Sequence, residues 1–195
     1  KFLESKNFYK DIEMISKADT TRYCLKAIEE DLFIDSPYHG EDLKLIVEAK
    51  DSYTAEALVG VAQSVFSINS PYHQKDMLLI SKANHSVNNL VYLATNENSL
   101  KDKYHLENMQ ILAECINPNA NEELFEIMTY KRIIQGKDYR KEVEILKNAK
   151  SRMNARALYY YIINPDRKFF HDTEYIRSLP RKLYDLLGKS PRIFD

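Results

Sequence analysis

Five copies of one seven-residue pattern constrain this chain more than any other feature. IEMISKA ends at Ala18, LKLIVEA at Ala49, MLLISKA at Ala83, MQILAEC at Cys115 and VEILKNA at Ala149. Each reads apolar, any, apolar, apolar, any, any, small, and the closing small residues stand 31, 34, 32 and 34 residues apart. Self-similarity at such a period marks an array of short supersecondary units. An aromatic residue precedes each closing position by about ten residues: Tyr9, Tyr38, Tyr72, Tyr104 and Tyr139. Seven residues before each stands Asp11, Asp42, Asp76, Asn108 or Glu142.

The period inside a unit is helical. With Tyr38 as origin and a turn of about 100° per residue, Leu45, Ile46 and Ala49 fall on its side while Lys44 and Glu48 point away. This predicts a first helix of about three and a half turns. A short polar break follows, as in Lys50-Asp51-Ser52 or Asn84-His85-Ser86, and then a second apolar stretch: ALVGVAQSVF from Ala57, NLVYLA from Asn89, LFEIM from Leu124, ALYYYII from Ala157. The expected unit is two antiparallel helices joined by a tight turn. One such hairpin cannot bury its apolar face alone, but stacked copies can. Gly at 4 and Pro at 6 are scarce, which also favours helices over turn-rich sheets.

The expected fold is therefore all-α: a right-handed α-solenoid of about five stacked hairpins forming one repeat domain over 1–195. The units run approximately 8–36, 37–69, 70–102, 103–136 and 137–164, with a C-terminal capping segment at 165–195. Cys24 and Cys115 are too few for a disulfide framework or a cysteine zinc site, and Cys115 in the small-residue slot reads as a buried thiol.

The tetrapeptide Ser-Pro-Tyr-His occurs at 36–39 and again at 70–73, and Tyr104-His105 follows. Ser-Pro reads as a helix start, with Ser as N-cap and Pro at the first helical position. Aligned on the tyrosines, the next residue is Lys10, His39, His73, His105 and Arg140. A slot shared by Lys and Arg does not select imidazole. Equivalent residues of stacked hairpins lie about 8–10 Å apart per helix layer, too far to share one zinc ion. No metal and no cofactor is expected.

Asp42 and Asp76 each stand three residues after a histidine, on the same helix face. The plain reading, which we adopt as the expectation, is a first-turn carboxylate favoured by the helix dipole. The alternative is a ladder in which each acid bonds a Tyr hydroxyl or a His of the adjacent unit. Lys17, Glu48, Lys82, Glu114 and Asn148 precede the small residue and alternate in sign over four units, which predicts a self-compensated charge stripe between stacked units, with Glu13–Lys17 and Lys44–Glu48 also pairing at i,i+4.

With 28 basic and 29 acidic residues the net charge is −1, so nothing draws the whole chain to nucleic acid or acidic membrane. Locally, 131–156 holds nine Lys or Arg against three Asp or Glu, beside Tyr159, Tyr160 and Tyr161. Lys131, Arg132, Arg140, Lys147, Lys150, Arg152 and Arg156 are the candidate contacts for a partner or polyanion there. No apolar run approaches the roughly 20 residues of a membrane span. The chain begins with Lys1 and shows no signal peptide, so a mature product or a piece of a longer protein is expected, with the cytoplasm favoured.

No glycine-rich phosphate loop, GxSxG or HExxH occurs, and no catalytic residue is assigned. The organisation resembles the helical-hairpin solenoids, with tetratricopeptide-like and Sel1-like repeats nearest in length, over roughly Tyr9 to Asn164. The Leu-Gly and Tyr expected in a tetratricopeptide first helix are not present in IEMISKA or LKLIVEA. The resemblance implies a fold class and the habit of binding macromolecules. The expected function is a non-catalytic protein–protein interaction scaffold with a protein or peptide partner, forming a module of a larger protein. The alternatives are nucleic-acid binding through 131–156 and an enzyme whose site is assembled across units.

Overall fold

The computed structural model describes residues 2–115 and 118–129, together with 143, 146, 147, 149, 155, 156, 158 and 159. The chain divides into two compact units, Lys1–Glu114 and Cys115–Asp195. The described residues are all-helical, with no strand among them. None of their helices is long and apolar enough to cross a membrane.

After a 3₁₀ turn at Phe2–Glu4, the first compact unit repeats a three-helix motif. The leading helices are α1 (Phe8–Ser16), α4 (His39–Val47), α7 (His73–Lys82) and α10 (His105–Glu114). The second helices are α2 (Thr21–Ile28), α5 (Ser52–Ala62) and α8 (Val87–Thr95). Each second helix is followed by a single short helical segment: α3 (Asp31–Ile34), α6 (Val65–Ile68) and α9 (Glu97–Leu100). Leading helices pack on one another in order, α1 on α4, α4 on α7 and α7 on α10, and second helices do likewise, α2 on α5 and α5 on α8.

The short third segment differs from the two-helix unit read in the sequence. ALVGVAQSVF is not one helix: Ser64 takes extended backbone angles and its side chain accepts the Ser67 N–H. Asn96 does the same for Ser99. A capping side chain in the β region both closes one helix and starts the next.

Three of the leading helices bury one face at spacing i, i+3, i+4, i+7, and α1 buries Asp11 and Ile15 of that face. On α4 it is His39, Asp42, Leu43 and Ile46, on α7 His73, Asp76, Met77 and Ile80, and on α10 His105, Asn108, Met109 and Leu112. Leu58, Leu90 and Leu93 of the second helices complete a core in which each large side chain stabilises the fold by about 1.5–3 kcal/mol. The small closing residues Ala83 and Cys115 are buried, as their slot required, while Ala18 and Ala49 are half-buried.

Of the second compact unit, α11 (Pro118–Thr129) buries Ala120, Leu124, Ile127 and Met128. Val143, Leu146, Ala149, Ala155, Leu158 and Tyr159 are buried as well. The capping segment at 165–195 lies outside the described residues.

Candidate functional site

Ser-Pro-Tyr-His makes a turn, and the helix begins two residues later than the N-cap reading places it. Ser36 C=O accepts the His39 N–H at 3.2 Å while Ser36 Oγ accepts the Tyr38 N–H at 3.1 Å. Ser70 repeats both bonds with His73 and Tyr72 at 3.3 and 3.1 Å. Asp102 repeats them with His105 and Tyr104 at 3.0 and 3.2 Å. The tyrosine therefore sits just outside the helix and the histidine opens it.

Ser5 makes the same turn, its C=O accepting the Phe8 N–H and its Oγ the Asn7 N–H. This corrects the alignment of the first unit. Phe8, not Lys10, is equivalent to His39, and Asn7, not Tyr9, to Tyr38. Tyr9 is accordingly 86% exposed. The histidine slot is apolar in the first unit and imidazole in the next three, so Lys10 does not share it, and Arg140 lies outside the described residues.

The imidazoles reach back to the carboxylates of the preceding unit. His39 Nε2 lies 2.8 Å from Asp11 Oδ2, His73 Nε2 2.8 Å from Asp42 Oδ2, and His105 Nε2 2.8 Å from Asp76 Oδ2. Asp11, Asp42 and Asp76 are buried at 1%, 0% and 0% exposure. They are not solvated first-turn carboxylates, and the ladder reading replaces that one. Where the acid slot is followed by a unit without histidine, the residue is Asn108, an uncharged amide.

Each ring is also held from its other side by a residue six positions earlier. Nδ1 of His39 faces the Phe33 carbonyl at 3.3 Å, that of His73 faces Ser67 Oγ at 2.9 Å, and that of His105 faces Ser99 Oγ at 3.5 Å. Tyr38 stacks on His73 with centroids 4.7 Å apart, and Tyr72 on His105 at 5.0 Å. In the middle joint Gln74 Nε2 adds a bond to Asp42 Oδ1 at 3.0 Å. Ser67, Ser99 and Gln74 were missed in the sequence, although a Ser six residues before the His in two units was a visible signal.

Burial pushes the Asp42 and Asp76 carboxyls above the ordinary carboxylate range, and the hydrogen bonds from His73 and His105 pull only partly against it. These are buried polar pairs in a low-dielectric environment. A slip of one residue between units would bury each imidazole and each carboxylate without its partner, so the joints hold the helices in register.

Ser67, His73 and Asp42 form a linear hydroxyl–imidazole–carboxylate arrangement, the constituents of a nucleophilic triad. Their exposures of 0%, 1% and 0% leave the hydroxyl no path to a substrate carbonyl while the helices are packed. Each imidazole goes to a different carboxylate, and among the described residues no three His, Cys, Asp or Glu side chains gather as metal ligands.

The charge stripe pairs along the chain at i,i+4, as the spacing of Glu13–Lys17 and Lys44–Glu48 predicts, and not between stacked copies at Lys17 and Glu48. Lys17 pairs with Glu13 at 2.6 Å and Glu48 with Lys44 at 3.9 Å, each within its own helix. Between units, besides the joints, Lys26 pairs with Glu56 at 3.9 Å, Thr20 Oγ1 donates to the Ile46 carbonyl at 2.8 Å, Lys50 Nζ donates to the Ala83 carbonyl, and Gln63 Nε2 donates to the Lys26 carbonyl at 3.1 Å.

Of the basic candidates, Lys147 is half-buried and Arg156 exposed, both helical. Lys131, Arg132, Arg140, Lys150 and Arg152 lie outside the described residues. No protein-family model, curated protein or solved structure matches the chain.

Proposed function

We propose that this chain is a non-catalytic protein-interaction scaffold, a right-handed α-solenoid whose units are locked by His–Asp joints. One observation carries the reading. Among the described residues three of the four histidines, His39, His73 and His105, are held inside the joints, while large apolar side chains stand at the surface: Tyr53 at 52%, Val65 at 55%, Phe66 at 51% and Tyr92 at 47% exposure. Exposed aromatic and apolar side chains on a rigid helical frame suit a protein or peptide partner. The same burial weighs against the enzyme reading.

Selection from a displayed peptide library tests it. A recovered peptide is expected to lose binding at least about tenfold to a Tyr53→Ser or Phe66→Ser variant whose thermal unfolding is unchanged. Enrichment of no sequence-specific peptide, or binding indifferent to both variants, would count against the scaffold.

Nucleic-acid binding is the second reading, favoured by the nine basic against three acidic residues of 131–156. It requires retention on heparin or a polynucleotide that falls steeply with added salt. Passage through both at low salt removes it.

A further inference from the structure

The joints differ in how completely they satisfy the carboxylate. In the middle one both oxygens of Asp42 are engaged, by His73 at 2.8 Å and by Gln74 at 3.0 Å, and Ser67 Oγ backs the ring at 2.9 Å. In the last one Asp76 Oδ2 meets His105 at 2.8 Å, but Asp76 Oδ1 is buried without a hydrogen-bond partner. Ser99 Oγ stands 3.5 Å from the His105 ring, at the limit of a hydrogen bond. The slot after the histidine, which supplies Gln74 in the middle joint, holds Leu106 in the last. A buried acceptor left unmade carries its full desolvation penalty, whereas the same oxygen would be hydrated once the joint opens.

We infer that the Asp76–His105 joint is the release point of this fold, where α10 parts from α7 while α7 stays locked to α4. The lone Asp76 oxygen lowers the cost of separation at that joint alone, because opening supplies it with water. Parting there, with release of α10 from α8 on which it also packs, uncovers the buried face of α10: His105, Met109 and Leu112.

Amide hydrogen exchange of the intact chain tests this. Amides of α10 are expected to exchange at least about tenfold faster than those of α4 and α7. Leu106→Gln places a side-chain amide where Gln74 sits in the joint before. It is expected to slow exchange in α10 by about tenfold and leave α4 unchanged. Gln74→Leu makes the reciprocal change and is expected to speed exchange in α7. Equal protection of α7 and α10 in the unaltered chain overturns the inference, as does Leu106→Gln with no slowing of α10. Should Leu106→Gln not fold, unchanged exchange of α7 in Gln74→Leu overturns it, and faster exchange there upholds it.

Discussion

Removing the Asp42 carboxylate separates the two roles an acid can have at that slot. As a first-turn charge on the α4 dipole it would contribute about 0.3–1 kcal/mol. As found, its side chain and that of His73 are both fully buried, 2.8 Å apart, with Gln74 on the second oxygen. Asp42→Ala leaves the His73 ring nitrogen buried without its partner, and breaking such a pair from one side costs about 3–5 kcal/mol. With a urea slope of about 2 kcal/mol/M, the denaturation midpoint falls by about 1.5–2.5 M. His73→Ala removes the same bond and also the stacking on Tyr38, a further ~0.5–1.5 kcal/mol. Because the residues share one bond, the double variant loses less than the sum, by about 0.5–3 kcal/mol. Asp42→Leu with His73→Phe recovers most of the stability, since the first unit already holds Phe8 in that slot and buried pairs are often replaceable by apolar groups of similar volume. Urea titrations followed by circular dichroism measure all four. A cost under about 1 kcal/mol for Asp42→Ala, with an additive double variant, refutes the joint and restores the solvated carboxylate.

Gly60 lies exposed within α5, and a Cβ built there meets nothing within 4 Å, so Gly60→Ala raises stability by about 0.5–1 kcal/mol in the same urea assay. Ser86 holds φ at 68° ahead of α8 and its hydroxyl is buried without a partner; Ser86→Gly relieves about 1 kcal/mol, seen as a higher melting temperature. Asp51 caps α5 by accepting the Thr54 N–H at 2.7 Å, so Asp51→Ala lowers stability by about 1 kcal/mol. Because that bond holds the Asp51 carboxyl below its ordinary value, the contribution is present above the unfolded carboxylate range and is lost as pH falls through the lowered value. Asp42 and Asp76 have the opposite sign: raised by burial, they contribute stability that is full below the unfolded carboxylate range and is lost as pH rises through their raised values. The stability difference between the native chain and Asp42→Asn/Asp76→Asn therefore shrinks as pH rises across that window; growth with pH overturns the dominance of burial.

The all-helical class was legible because it is written locally. The small closing residues and the apolar spacing before them recur along the chain, and helices need no distant partner to be recognised. Spacing alone aligns Tyr9 with Tyr38, because Tyr9 is the nearest tyrosine to that slot, whereas the turn built on Ser5 marks the true register. The short third segments were hidden in ALVGVAQSVF because an apolar run conceals a break until its cap, Ser64, is seen to take extended angles.

What the sequence determined alone is the helical class and the apolar face, since each follows from residue spacing on a single helix. Packing decided the role of the acids. Asp42 and His73 lie 31 residues apart, and nothing within either helix distinguishes a solvated carboxylate from a buried one. Only the docking of α7 on α4 removes water from both groups, and their mutual hydrogen bond, with those from Gln74 and Ser67, then satisfies them.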